Sequence, residues 1–251
     1  ITGLGYLFSK RLNTKLIKFF LKPIFVWLIN KTFKNIIYQN SSDENLFNKY
    51  SKFTNNSYLI ESSGLQGSQY LLKEKFNKQL KILLAGRLLE DKGIKKYIDL
   101  ASQMNSDNIK FYLAGELDEG NPKSLTHKDL EDIKNNKFVE YVGYLDLKKE
   151  LQEYDVLISL SDHEGFSRIL LEAVYVGLYC IAYKNSGTEF IENFQNTITV
   201  DSKDLELIND EITNVLNTEK SVSLNNREII IKKYSTKNIA NSFNEIYKLD
   251  I

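Results

Sequence analysis

Asp155-Val-Leu-Ile-Ser-Leu160 runs directly into Ser161-Asp-His-Glu-Gly-Phe-Ser-Arg-Ile-Leu-Leu-Glu-Ala173. The first piece is a short apolar run that reads as a buried strand. The second opens another apolar run, Ile169 to Val176, which with its flanks has helical length. A strand-to-helix turn therefore carries two carboxylates, Glu164 in the turn and Glu172 inside the helix. The helix is apolar on nearly every side, which predicts burial. A carboxylate there is costly unless something hydrogen-bonds it. Glu172 is either a ligand-binding group or a structural one, paired with an Arg or Lys in the core or set at the helix edge facing water.

Outward from this stretch the pattern is regular. Strands are predicted at Lys81–Ala85, Ile109–Ala114, Phe138–Val142, Val156–Leu160, Leu178–Tyr183 and Thr197–Val200. Helices are predicted at Gly93–Met104, Lys128–Asn135, Leu147–Glu153, Ser167–Val176 and Leu205–Leu216, and from Ser223 to Leu249 with a break at Tyr234-Ser235. Alternating strand and helix implies an α/β fold with a parallel sheet covered on both faces. Ligands of such sheets bind at the carboxyl ends of the strands.

The N-terminal part reads differently. Residues 1–9 suggest a loop after a missing strand, and Lys10–Lys34 a basic, aromatic helix with no acidic residue from Ile1 to Ser42. Such a helix either lies in a membrane interface or packs on a domain with its lysines in water. A short strand, Asn35–Gln39, precedes a helix whose N-cap is predicted at Ser41, with Glu44 completing a capping box. Ser57–Ile60 is a further short strand, and Glu61–Gln69 reads as a linker, which sets the expected boundary between residues 1–66 and 67–251.

Composition narrows the function. The chain has 251 residues, enough for a sizeable core. Lys+Arg and Asp+Glu both number 33, a balance that argues against a general nucleic-acid-binding protein. A single cysteine, Cys180 in an apolar run, fits a reducing compartment and reads as a buried inert thiol. With only His127 and His163 beside it, a zinc site is not expected. His163 reads as a loop histidine, since no second base or nucleophile stands beside it. The chain begins at Ile1 and its only methionine is Met104, so a processed chain or a piece of a longer one is expected.

Three strand-to-helix turns carry polar residues. In Gly86-Arg-Leu-Leu-Glu-Asp-Lys-Gly93, Gly86 permits close backbone approach, and Arg87 and Lys92 bracket a helix N-terminus. They form either a phosphate or diphosphate site or surface pairs with Glu90 and Asp91. Ala114-Gly-Glu-Leu-Asp-Glu-Gly-Asn-Pro122 is acidic; it reads first as a solvated loop, though its carboxylates suit hydroxyl groups. At the third turn the Gly165 and Phe166 amides would suit an anion, with Glu164 and Glu172 as acceptors for hydroxyls. A phosphate grip and hydroxyl acceptors in one sheet are what a nucleotide-sugar needs.

Glu164-Gly-Phe-Ser-Arg-Ile-Leu-Leu-Glu172 resembles the E-x7-E motif of the retaining family 4 glycosyltransferases, and Ala85-Gly-Arg-Leu-Leu-Glu-Asp-Lys-Gly93 resembles their GRL-x-x-x-KG turn. Leu113 to Pro122, Tyr141-Val-Gly-Tyr144 and Asn185-Ser-Gly-Thr-Glu189 follow in the family's order. The GELDEGNP stretch and Thr2 to Phe8 resemble the subgroup that adds sugars in capsule and lipid-linked oligosaccharide assembly. The resemblance implies a GT-B fold: one complete Rossmann-like donor domain, residues 67–251, plus the C-terminal remnant of an acceptor-side Rossmann-like domain. It differs at the linker, Ser63-Gly-Leu-Gln66, where relatives carry Asp at the last position.

The resemblance also implies roles. Arg87 and Lys92 would hold the donor diphosphate, and Glu172 the ribose hydroxyls. Glu164, with the Gly165 and Phe166 amides, would contact the donor sugar and diphosphate. Gly86 would line the site, and Tyr144 the base pocket. No cofactor or metal is expected. The partners would be a nucleotide-sugar, with UDP suggested, and a lipid-linked glycan, with membrane contact through Lys10–Lys34. The expected location is the cytoplasm, at the inner face of the cell membrane. The alternatives are a GT-B nucleotide-sugar epimerase and a non-catalytic, truncated nucleotide-binding module.

Overall fold

The computed structural model describes residues 24, 27–50, 56–201, 204–218 and 221–248. Thr2–Phe8 and most of the expected Lys10–Lys34 helix lie outside the described residues. Within that segment, residues 27–32 are helical.

Two parallel sheets organise the described residues. The small one pairs β1 (Asn35–Tyr38) with β2 (Asn56–Leu59), and α1 (Ser41–Tyr50) connects them. The large one holds β3 (Leu80–Ala85), β4 (Ile109–Ala114), β5 (Val139–Gly143), β6 (Val156–Ser159), β7 (Tyr179–Tyr183) and β8 (Thr197–Val200). Its order is β5-β4-β3-β6-β7-β8. The chain builds outward from β3 in one direction, then returns to β6 and builds outward in the other. The crevice between the ends of β3 and β6 is the switch point where open α/β sheets bind ligands.

The crossover helices are α2 (Ile94–Gln103), α3 (His127–Lys134), α4 (Leu147–Glu150) and α5 (Arg168–Val176); a 3-10 segment, Glu189–Asn193, joins β7 to β8, and α6 (Leu205–Asn217) follows the last strand. The chain ends with α7 (Leu224–Tyr234) and α8 (Thr236–Lys248). Successive strand side chains point to opposite faces, so β3 and β6 feed two cores. Leu83 and Leu157 join Leu170, Leu171 and Val174 of α5 on one face. Ile82, Leu84, Val156 and Ile158 join Ile94, Tyr97 and Leu100 of α2 on the other. Each fully buried aliphatic side chain contributes about 1.5–3 kcal/mol, and this double burial explains why the strands read as unbroken apolar runs. Cys180 of β7 is fully buried in the core on the α5 face, and burial pushes its thiol pKa up, as an inert core thiol requires.

The expected strands of the large sheet all form, with ends shifted by a residue at most, while the expected Leu147–Glu153 helix is α-helical only to Glu150 and closes as a 3-10 turn over Leu151–Glu153. One expectation is corrected. Asn40, not Ser41, caps α1: its Oδ1 accepts from the Asp43 N–H at 2.7 Å, and Ser41 is already the first helical residue. Glu44 does not close a capping box with Ser41; it accepts from the Ser57 hydroxyl at 2.8 Å.

The linker and the α7–α8 break run side by side. The Leu65 N–H donates to the Tyr234 carbonyl at 2.8 Å, and the Thr236 N–H to the Leu65 carbonyl at 3.1 Å. From there α8 returns to the small sheet, where Ile239 and Ile246 pack on Ile60 with Ile37 and Tyr58. Among the described residues no helix is long and apolar enough to cross a membrane.

Candidate active site

A cleft of about 690 Å³ opens at the carboxyl ends of β3, β4, β5 and β6. Gly86, Arg87, Lys92, Tyr144, Glu164, Phe166 and Glu172 all line it. Residues separated by up to 86 positions meet there because the sheet order makes β3 and β6 neighbours. Gly165 is not among the lining residues.

The β3–α2 turn and the acidic loop after β4 form one double-loop unit. The Leu88 N–H donates to the Glu116 carbonyl at 2.9 Å, the Glu90 N–H to the Lys123 carbonyl at 3.0 Å, and the Leu125 N–H to the Leu88 carbonyl at 2.9 Å. Gly115 makes their approach possible: a Cβ there would lie 1.8 Å from the Gly86 carbonyl oxygen. A Cβ at Gly86 would meet no protein atom within 4 Å, so that backbone faces open space. The loop read as solvated thus carries a site residue. Asp118 accepts from Arg87 Nη1 at 2.6 Å, and the Asn121 amide, then Arg87, hold its carboxyl below the ordinary value. Arg87 pairs with Asp118 rather than with Glu90 or Asp91; Asp91 pairs with Lys123 at 2.6 Å.

Lys92 crosses the switch point. Its Nζ lies 2.5 Å from Glu164 Oε1, and both side chains are about four-fifths covered. The Glu164 turn is packed from behind by Gly187, whose added Cβ would sit 2.5 Å from the Glu164 Cβ and backbone oxygen. The Ser167 N–H donates to the Gly187 carbonyl at 2.9 Å. Phe166 anchors the next residue, its ring stacked on Phe190 at 4.4 Å.

Glu172 is buried, 4% exposed, and held by two donors on one oxygen: Tyr70 Oη and Arg168 Nε each reach Oε1 at 2.8 Å. The pairing with an arginine raised as a structural reading is therefore real. It leaves Oε2, which accepts from no group among the described residues, on a residue that lines the cleft. Burial and then the Glu172 bond push the Tyr70 hydroxyl pKa up, and the Glu172 bond raises that of Arg168. Arg168 was legible as an i,i+4 partner; Tyr70, 102 positions from Glu172, gave no local signal.

At the start of α5, Ser167 Oγ is buried without a partner among the described residues. Ser167 lines the cleft beside the first turn of the helix, where unpaired N–H groups favour an anion. Tyr144 stands at the mouth of the cleft, 73% exposed. His163 is exposed and does not line the cleft. Among the described residues no three His, Cys, Asp or Glu side chains gather as metal ligands would.

The cleft thus brings Arg87, Lys92, Glu164, Glu172 and the N-terminus of α5 into one crevice. Several solved structures share the architecture. Sucrose-phosphate synthase from Thermosynechococcus elongatus superposes with a TM-score of 0.78 at 19% identity, over 99% of this chain and 66% of that one. Anabaena HepE in complex with UDP-glucose gives 0.71 at 18% identity, over 90% of this chain and 67% of that one. S. aureus TarM in complex with UDP gives 0.72 at 19% identity, over 90% of this chain and 46% of that one. This chain therefore spans about half to two-thirds of their length. No curated protein sequence matches it. These likenesses carry the α/β, GT-B fold, and residues 72–245 match the family described as glycosyl transferases group 1. The chain belongs to the glycosyl transferases group 1 family.

Proposed function

We propose that the cleft is the donor site of a retaining, family 4 glycosyltransferase that moves a sugar from a nucleotide-sugar, a UDP-sugar, to a lipid-linked glycan in bacterial surface-polysaccharide assembly. Residues 67–251 would form the donor domain and residues 1–66 the remnant of the acceptor-side domain. The Lys10–Lys34 segment would meet the cytoplasmic face of the membrane. Trp27, Leu28 and Phe33 at its described end are exposed, with Lys31 over the Trp27 ring at 5.0 Å.

One observation carries the reading. At a single switch point, Arg87 and Lys92 line the same cleft as the N-terminus of α5 and the Ser167 hydroxyl, which has no partner among the described residues, beside the half-engaged carboxylate of Glu172. That is a diphosphate grip next to a hydroxyl acceptor. The UDP and UDP-glucose held by the HepE and TarM structures support the choice of donor.

On this reading Glu172 Oε2 accepts from the ribose hydroxyls while Tyr70 and Arg168 hold Oε1. Arg87, Lys92 and the α5 N–H groups stabilise the diphosphate as charge develops on it, and Glu164 faces the sugar. Rate acceleration then comes from electrostatic preorganisation around an oxocarbenium-like transition state. Calorimetric titration with UDP, GDP and ADP tests it on the parent chain and on Glu172→Ala and Arg87→Ala. UDP should bind the parent, and each variant should weaken it at least tenfold, the scale of one lost charge-assisted hydrogen bond. Variants that bind as well as the parent would refute the site.

A further inference from the structure

We propose that Asn40, at the end of β1 in the small lobe, is a positioning residue for the turn that carries Glu164, tying the acceptor-side lobe to the donor-sugar end of the cleft; this rests on the donor-site reading above.

Asn40 is 4% exposed, so its amide is cut off from water and needs protein partners. Oδ1 accepts from the Asp43 N–H at 2.7 Å and caps α1. Nδ2 donates to the Gly165 carbonyl at 2.8 Å and to Asp43 Oδ2 at 3.1 Å. The orientation has one solution: a flipped amide would set its oxygen against a carbonyl and a carboxylate, acceptor against acceptor. Serine or aspartate would cap the helix equally well. What asparagine adds is the donor, and that donor reaches 125 positions along the chain to Gly165.

The bond acts on the neighbouring amide. In a trans peptide the N–H of the following residue points opposite to the carbonyl. With the Gly165 carbonyl drawn toward Asn40, the Phe166 N–H is aimed away from the small lobe. Phe166 lines the cleft, and among the described residues neither its N–H nor that of Gly165 donates to another group. Gly187 and the Ser186 hydroxyl, which donates to the Glu164 carbonyl at 3.3 Å, support the same turn from the large lobe. Asn40 is its support from the other lobe. A shift of the lobes would therefore pass through this bond to the Glu164 carboxylate and the Phe166 amide together.

The test compares Asn40→Ser, which keeps the cap and deletes the donor, with Asn40→Ala, which deletes both. Hydrogen exchange on the full chain should show faster exchange at the Ser167 amide, which the turn holds on the Gly187 carbonyl at 2.9 Å, in Asn40→Ser, with α1 protected as in the parent. Titration should show UDP affinity within about twofold of the parent, while the extra affinity gained with UDP-glucose falls roughly tenfold, one hydrogen bond's worth of positioning. Unchanged exchange at the Ser167 amide, or equal weakening of both ligands, would overturn the positioning role. A parent chain that binds neither ligand would overturn the donor-site reading and this inference with it. Binding of both ligands with only the Asn40→Ser pattern missing would overturn this inference alone.

Discussion

Lys92 Nζ lies 2.5 Å from Glu164 Oε1 across 72 residues of sequence, joining the turn after β3 to the turn after β6. The cation assigned to the diphosphate is therefore neutralised by the carboxylate assigned to the sugar. Removing the charge of Glu164 should have opposite effects on the two halves of the ligand. In Glu164→Gln, UDP should bind one- to fivefold tighter, because Lys92 no longer exchanges partners. The added affinity for UDP-glucose should drop about ten- to a hundredfold, the range for a hydrogen bond to a charged group. Calorimetry with both ligands reads the split; parallel loss of both would assign Glu164 to the fold of the turn instead.

Arg87 carries a similar pairing on the outer side of the cleft, with Asp118 at 2.6 Å. Arg87 is mostly exposed, so solvent screens the pair and its net contribution to stability is small. Asp118→Asn keeps the Asn121 neighbourhood while freeing the guanidinium. UDP should bind up to about fivefold tighter, with the gain shrinking as salt is raised. Weaker binding in this variant would mean that Asp118 holds Arg87 in its working position.

Much of this was legible in the chain itself. The β3 and β6 strands announce themselves because both faces are buried, and the turns after them because Gly86, Gly93 and Gly165 interrupt apolar runs. The candidate lining residues other than Gly165 meet in one cleft for that reason. What could not be read is who neutralises whom. Nothing local in the GELDEGNP loop says that Asp118 belongs to Arg87, or that Tyr70 reaches Glu172. Nor does anything local make Asn40 a partner of Gly165. These pairings are products of strand order, which brings together side chains with no periodic relation. The α1 cap failed for a different reason: Asn40, Ser41 and Ser42 are all good capping residues, and backbone geometry chose the first.

Gly187 should tolerate no side chain. Its added Cβ would meet the Glu164 Cβ and backbone within 2.6 Å, and backbone cannot rotate away as a side-chain tip can. Gly187→Ala should lower stability by about 1–3 kcal/mol and push the Glu164 turn toward the cleft. Urea unfolding would read the first effect. Loss of the UDP-glucose increment, with circular dichroism unchanged, would read the second. A variant with parent-like stability and binding would show that the turn can yield.

Far from the cleft, Lys73 and Asp155 form a buried ion pair at 2.9 Å, with side chains 2% and 0% exposed. Asp155 also accepts from the Asn77 N–H at 2.9 Å and the Lys81 N–H at 2.8 Å, so it pins the approach segment to the start of β3 and β6. Lys73→Met strands a buried carboxylate and should cost about 3–5 kcal/mol, the lower end applying because those amides remain. UDP affinity measured well below the melting temperature should not change. A loss of affinity without a loss of stability would point to coupling between the two ends of the sheet.

Alkaline pH should unfold the protein through its tyrosines. Burial, then the nearby Glu44 and Asp43, pushes Tyr38 from 10.0 to about 12. Burial, then Tyr112 and the surrounding glutamates, does the same to Tyr154. Both hydroxyls are protonated in either state below pH 10, so they make stability neither rise nor fall there. Between about pH 10 and 12 the unfolded chain releases protons that the folded chain retains, and stability falls as pH rises across that window. The urea midpoint should hold steady from pH 7 to 9 and decline between pH 10 and 11. The decline should be reduced in Tyr154→Phe, which has no proton to release. A midpoint that stays flat through pH 11 would mean that these hydroxyls ionise as readily in the fold as in the open chain.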